Sequence, residues 1–86
     1  MKKTEDKRIK TIEQLKEIAS KGMDCCIRLN GGLRSSKHII YHPEDNSFYV
    51  FNYIDDTEQV LTESQIFDSG YTNIGEAIKK GALIMD

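Results

Sequence analysis

The chain has no tryptophan, a single proline, two cysteines and no long hydrophobic run. No apolar stretch approaches the roughly 20 residues that a membrane-spanning helix needs. The opening MKKTEDKRIK lacks the apolar segment of a secretory signal. We therefore expect a cytoplasmic protein without a membrane partner. The adjacent Cys25 and Cys26 point to opposite faces of a strand and do not form a disulfide framework.

The sequence also lacks the motifs of common catalytic and metal chemistry. It has no GxSxG, HExxH or paired CxxC pattern. His38 and His42 lie roughly 13 Å apart along one strand at about 3.3 Å per residue, too far apart to share an ion. Asp55 and Asp56 are sequential and diverge in an extended chain, which makes a poor acid/base pair. We expect a protein that is not an enzyme and uses no cofactor or metal.

Cationic residues are absent from a long central stretch. Residues 1–37 carry ten Lys or Arg against five acids, whereas residues 38–78 carry eight acids and no Lys or Arg. In a chain of 86 residues with a net charge of −2, this segregation predicts an acidic surface beside a basic one.

The stretch from Cys25 to Tyr41 organises the chain. Asn30, Gly31 and Gly32 separate two strand-forming runs and predict a hairpin, with strands from about Asp24 to Leu29 and from Lys37 to Tyr41. A turn at residues 42–46 leads to a third strand at residues 47–54, and residues 58–61 form a short fourth strand.

Three helices accompany the strands. Thr11 with Gln14 and Thr62 with Gln65 have capping-box spacing, and a third helix starts at Asn73. Its buried stripe is predicted to include Leu83. The predicted fold class is α+β: an antiparallel three- to four-stranded sheet with an N-terminal helix and two short C-terminal helices. Residues 1–10 form a flexible basic arm and residues 11–86 a single domain.

Two features suggest a binding surface. The glycine-rich loop brings together the donors Arg34, Ser35, Ser36 and Lys37, which suit a phosphate, a carboxylate or a protein partner; the alternative is a solvated hairpin turn. The acidic stretch offers the carboxylates Asp55, Asp56, Glu58 and Glu63 to a basic groove, and the alternative is a solvated face. Tyr49 and Tyr53 lie on the second face of the third strand, which is either covered or an exposed platform.

The run CCIRLNGGLRSSK, the acidic middle and the closing NIGEAIKKGAL resemble small accessory proteins of phages and other mobile elements, specifically anti-CRISPR proteins. The resemblance implies a non-catalytic inhibitor that occupies the nucleic-acid groove of an effector or blocks its subunit movement. The leading hypothesis is therefore an inhibitor or adaptor that binds a larger protein, a CRISPR-Cas effector by this resemblance, through the acidic surface and the basic loop. The alternative is a nucleic-acid-binding module that uses Arg28, Arg34, Lys37 and the N-terminal lysines. The sequence leaves monomer and homodimer open.

Overall fold

The computed structural model describes residues 8–28 and 34–85, which form an antiparallel sheet packed against short helices. The elements in chain order are α1 (Ile12–Ala19), β1 (Met23–Arg28), β2 (Arg34–His42), β3 (Ser47–Asn52), β4 (Thr57–Thr62), α2 (Glu63–Ile66), α3 (Ile74–Lys80) and β5 (Leu83–Met85). The strand order is β4-β3-β2-β1-β5, so β1 to β4 form a meander and β5 returns to pair with β1. This architecture confirms the predicted α+β class and adds a fifth strand. Among the described residues, no helix is long and apolar enough to cross a membrane.

Local sequence chemistry sets the bounds of α1. The Thr11 hydroxyl accepts a hydrogen bond from the Gln14 backbone N–H at 3.1 Å, which satisfies one of the helix's unpaired amides. Leu15 and Ala19 are fully buried on the inner side of the helix. Gly22, with φ of 81°, then turns the chain into β1. The helix predicted to start at Thr11 is confirmed.

The first hairpin begins its second strand earlier than the sequence predicts. Arg34 pairs with Arg28 and Ser36 with Cys26, so residues 34–36 belong to β2 and not to a loop. The predicted loop is wrong for residues 34–36, because their backbone pairs with β1; the donor role of their side chains stays a prediction. The remainder of that loop, residues 29–33, lies outside the described residues.

The later turns and caps follow the predicted chemistry in all but one case. Asn46 and Asp56 adopt positive φ of 54° and 60°, a conformation that these side chains tolerate in turns. Thr62 and Gln65 make both bonds of the capping box that starts α2. Asn73 is the N-cap residue of α3, as predicted, but its side chain makes no capping bond; the Thr72 hydroxyl accepts from the Ile74 amide instead, at 3.4 Å.

The segment before α1 pairs with β5, as β1 does. Ile9 donates its backbone N–H to the Leu83 carbonyl at 2.8 Å, and its side chain is buried in the core. Leu83 is therefore buried as predicted, but in a strand beside Ile27 and not in the stripe of α3. The predicted arm of residues 1–10 is wrong for residues 8 and 9, which are bound to β5, and Lys10 donates its backbone N–H to the Gln14 side chain of α1. Residues 1–7 lie outside the described residues.

One face of the sheet carries the hydrophobic core. Its cluster of buried side chains joins the inner face of the strands to all three helices: Ile9, Leu15, Ala19, Met23, Cys25, Ile27, Ile39, Phe48, Val50, Leu61, Ile66, Ile74, Ala77, Ile78 and Leu83. Burial of each large aliphatic or aromatic side chain contributes about 1.5–3 kcal/mol relative to its exposure. Because side chains alternate along a strand, the intervening residues face the other way.

Candidate binding surfaces

The sheet face opposite the core presents a row of apolar side chains. Ile40 of β2, Tyr49 of β3 and Val60 of β4 are direct cross-strand neighbours. Val60 is 68% exposed, while Ile40 and Tyr49 are half-buried. We call this surface the open face, defined by Asp24, His38, Ile40, Tyr49, Phe51, Glu58 and Val60.

A second row on the open face mixes aromatic and charged groups. His38, Phe51 and Glu58 are neighbours across β2, β3 and β4. The Tyr53 ring, 50% exposed, meets the Phe51 ring edge-on with centroids 5.2 Å apart. Partial burial and the nearby Glu58 carboxylate raise the pKa of Tyr49, so its hydroxyl stays neutral at physiological pH.

The Asp24 carboxylate contacts two other side chains on this side of the sheet. Its Oδ1 lies 2.8 Å from His38 Nδ1 and accepts the Tyr53 hydroxyl at 2.8 Å. The hydrogen bond with His38, followed by that with Tyr53, lowers the pKa of Asp24, and the same carboxylate raises the pKa of Tyr53. These contacts hold the Tyr53 ring against the second row, beside Phe51, although the residue lies beyond the end of β3.

The charges of the open face are unevenly distributed. Asp24 and Glu58 lie on it, and Asp55 and Asp56 occupy the exposed turn between β3 and β4. Neither β3 nor β4 contains a Lys or Arg. The part of the open face that β3 and β4 form is therefore acidic, and a basic counterpart suits it. At the β1 side, the same face carries the exposed cation Arg28.

The predicted acidic residues do not all share one surface. Asn52 pairs with Thr57 at one end of β3 and β4, next to Asp55 and Asp56, whereas Ser47 pairs with Thr62 at the other end. Thr62 lies five residues from Thr57 along β4, roughly 17 Å at about 3.4 Å per residue, and Glu63 directly follows it as the first residue of α2. There its carboxylate binds Lys16 Nζ at 2.7 Å and raises the pKa of Lys16.

Lys37, predicted as an exposed donor, is buried. It alternates with Ile39 in β2 and therefore faces the helices, with only 9% of its surface exposed. Arg28 alternates with the core residue Ile27 in β1 and so faces the opposite side of the sheet, where it is exposed. The structure thus separates two of the cations predicted to bind nucleic acid together.

Lys37 lies at the wall of a polar cavity of about 440 Å³, which we call the Lys37 cavity. Its sheet side consists of Lys37, Asn52, Asp55, Thr57 and Gln59, and its other side is the connection between α2 and α3 at residues 69 and 71–73. Gln59 donates to the Tyr71 backbone carbonyl at 3.2 Å and so ties the two sides together.

A chain of hydrogen bonds runs through the Lys37 cavity. Lys37 Nζ donates to Asn52 Oδ1, Asn52 Nδ2 donates to Thr57 Oγ1 at 3.3 Å, and the Thr57 hydroxyl donates to Asp55 Oδ1 at 2.7 Å. Burial lowers the pKa of Lys37, while the charge of Asp55 acts in the opposite direction. The chain therefore links a buried cation to an exposed carboxylate. Within residues 8–28 and 34–85, no three His, Cys, Asp or Glu side chains are grouped to hold a metal ion.

Comparison with protein-family models, curated proteins and solved structures finds no match for this chain. The fold and the two surfaces therefore define it as a small α+β protein with an acidic aromatic sheet face and a polar cavity on the opposite side.

Proposed function

We propose that the protein is a non-catalytic inhibitor or adaptor that binds a larger protein through the open face. The observation that supports this function most directly is the apolar row of Ile40, Tyr49 and Val60, left partly exposed while all three helices pack on the other face. Tyrosine is enriched at protein interfaces, and contiguous exposed apolar patches mark interaction sites.

The charge of the open face defines the partner's chemistry. Asp24 and Glu58 lie at the two ends of the row next to the apolar one, so a complementary partner carries Lys or Arg beside an apolar contact. CRISPR-Cas effectors hold nucleic acid in positively charged channels. The resemblance to anti-CRISPR proteins and this charge complementarity both favour such an effector as the partner.

Direct nucleic-acid binding fits the described residues less well. Phosphate recognition requires several cations on one surface. Lys37 is buried on the helix side of the sheet, whereas Arg28 is exposed on the opposite side. We therefore place the protein partner first and treat nucleic acid, or a second copy of this chain, as outcomes that the experiments distinguish.

Binding to purified CRISPR-Cas effector complexes tests the proposal, with inhibition of target cleavage as a second readout. Glu58→Lys reverses a charge on the open face, and Glu17→Lys makes the same change at an exposed position of α1. We expect Glu58→Lys to weaken binding by about tenfold or more and Glu17→Lys to leave it within about twofold, with affinity that falls as salt is added. Equal losses of binding in both variants would show that the effect depends on net charge alone and would contradict binding through the open face.

Photo-crosslinking tests the surface without assuming the effector. A photoreactive amino acid replaces Val60 on the open face or, as the control, Tyr71, which is exposed beside the Lys37 cavity. We expect protein adducts from position 60 and none from position 71. A ladder of adducts to nucleic acid, a dimer of this chain, or equal yields at both positions would overturn a protein partner at the open face.

A further inference from the structure

The Lys37 cavity is separate from the open face. Lys37 alternates with the open-face residue His38 in β2, and the cavity's opposite side is formed by the connection between helices α2 and α3. Its volume of about 440 Å³ lies in the usual range of small-molecule pockets. A ligand there would not compete with a partner bound across Ile40 and Val60.

Hydrophilic groups dominate the walls of the Lys37 cavity. One cation, Lys37, and one carboxylate, Asp55, are separated by the side chains of Asn52 and Thr57, which bond to each other. The opposite side, residues 69 and 71–73, adds hydroxyl and amide groups. These walls suit a small, strongly polar molecule and offer little to an apolar one.

The Lys37 ammonium has hydrogen-bonding capacity to spare. An ammonium carries three N–H donors, and the described residues supply one acceptor to Nζ, the Asn52 side-chain oxygen. More than nine-tenths of the Lys37 surface is buried. A buried cation is costly unless it is paired and hydrogen-bonded, and a bound carboxylate satisfies both needs.

Asp55 provides the complementary half of the site. One of its oxygens accepts the Thr57 hydroxyl at 2.7 Å, and a carboxylate has about four acceptor positions in all. A simple anion at Lys37 would be repelled by Asp55, and a simple cation at Asp55 would be repelled by Lys37. A molecule with both charges avoids both penalties.

We propose that the Lys37 cavity binds a small zwitterion, a free α-amino acid, with its carboxylate at Lys37 and its ammonium at Asp55. The amide and hydroxyl groups between these two residues contact the rest of the molecule. Asn52 holds the Lys37 side chain at one end of the hydrogen-bond chain, and Thr57 holds Asp55 at the other.

NMR titration of ¹⁵N-labelled protein tests the proposal, with the twenty common L-amino acids as probes at up to about 10 mM. We expect at least one to shift the amide signals of residues that line the cavity, and its N-acetyl and carboxamide derivatives to bind at least about tenfold more weakly. Lys37→Met and Asp55→Asn are each expected to weaken binding at least about tenfold, while Lys21→Met, at an exposed position, leaves it unchanged. Asp55→Asn keeps an acceptor for Thr57, so it tests the charge even if Lys37→Met fails to fold.

Three results would overturn the site: no amino acid shifts these signals, the N-acetyl derivative binds as well as its parent, or binding survives Asp55→Asn. The open-face variant Glu58→Lys is expected to bind the amino acid normally, because Glu58 lies on the other side of the sheet. Failure of this proposal would therefore leave the docking proposal intact, and the reverse also holds.

Discussion

Gly75 is the position where a single methyl group should do most harm. A β-carbon at Gly75 of α3 would lie 2.6 Å from both the Ile66 carbonyl oxygen and the Phe67 α-carbon, and 2.7 Å from Phe67 Cδ1. Ordinary contacts of this kind are 3.4–4 Å. Two of the three obstructing atoms belong to the backbone at the end of α2, so rotation of a side chain cannot relieve the contact.

The magnitude follows from two opposing effects in Gly75→Ala. Alanine is favoured over glycine inside a helix by about 1 kcal/mol. Overpacking costs about 1–3 kcal/mol, and the upper half of that range applies because backbone must move and Ile66 is fully buried. We expect a net loss of about 1–2 kcal/mol in the free energy of unfolding, or a melting temperature about 5–15 °C lower for a domain of this size.

Urea and thermal unfolding followed by circular dichroism measure this loss. Glu76→Ala, at the next and exposed position of α3, is the matched control and should change stability by less than about 0.5 kcal/mol. Adding Phe67→Ala to Gly75→Ala should restore little, since the backbone contacts persist. A Gly75→Ala protein as stable as wild type, or more stable, would show that helix propensity outweighs packing and that α2 and α3 are not in close contact.

Other predictions concern titration and capping. The pKa of Asp24 is lowered in the folded state, so the stabilisation from its carboxylate is present above its ordinary pKa and is lost as pH falls through the folded pKa. Asp24→Asn should therefore reduce stability more at pH 7 than at pH 2.5, whereas the control Asp56→Asn should not show this difference. The pKa of Lys37 is also lowered in the folded state, so between this folded pKa and the ordinary value of 10.5 the unfolded chain binds more protons and stability should rise with pH. Urea unfolding across pH 7.5–10.5 measures this rise, which should vanish in Lys37→Met. Thr62→Ala removes the hydroxyl that starts α2 and should cost about 1 kcal/mol by the same measurement.

The elements that the sequence predicts well are those encoded by adjacent residues. Thr11 and Gln14 mark the start of α1 because the capping bond spans three positions. The residue Asn46 marks a turn because it accepts positive φ. Such signals depend on the local backbone alone, so they hold in whatever tertiary setting the chain adopts.

The elements that the sequence does not predict form by pairing with residues far away in the chain. The strand β5 has three residues, too few to show alternation, and it exists because it pairs with residues 25–27 nearly sixty positions earlier. Ile9 has a charged neighbour on each side, so local composition indicates an arm, whereas its burial depends on Leu83. Neither pairing leaves a local signal.

The candidate surfaces also combine features that follow from local sequence with features that depend on long-range pairing. Tyr49 and Tyr53 could be placed on the second face of β3 from alternation, but the row with Ile40 and Val60 required the register. The burial of Lys37 did leave a signal, because it has the same strand parity as Ile39; its charge outweighed that parity in the prediction. Asp24 could not be found, since His38 and Tyr53 are 14 and 29 residues away in sequence.

The bridge between Arg8 and Ile84 has a practical consequence for engineering. Paired antiparallel residues have α-carbons about 4.5–5.5 Å apart, so a short linker from residue 85 to residue 8 could close the chain into a ring. New termini could then be opened in the exposed turn at residues 43–46, where chain breaks are best tolerated. A reporter inserted at the linker would sit beside β5, about 19 Å from β4 at about 4.8 Å per strand, and would leave Val60 accessible to a bound macromolecule.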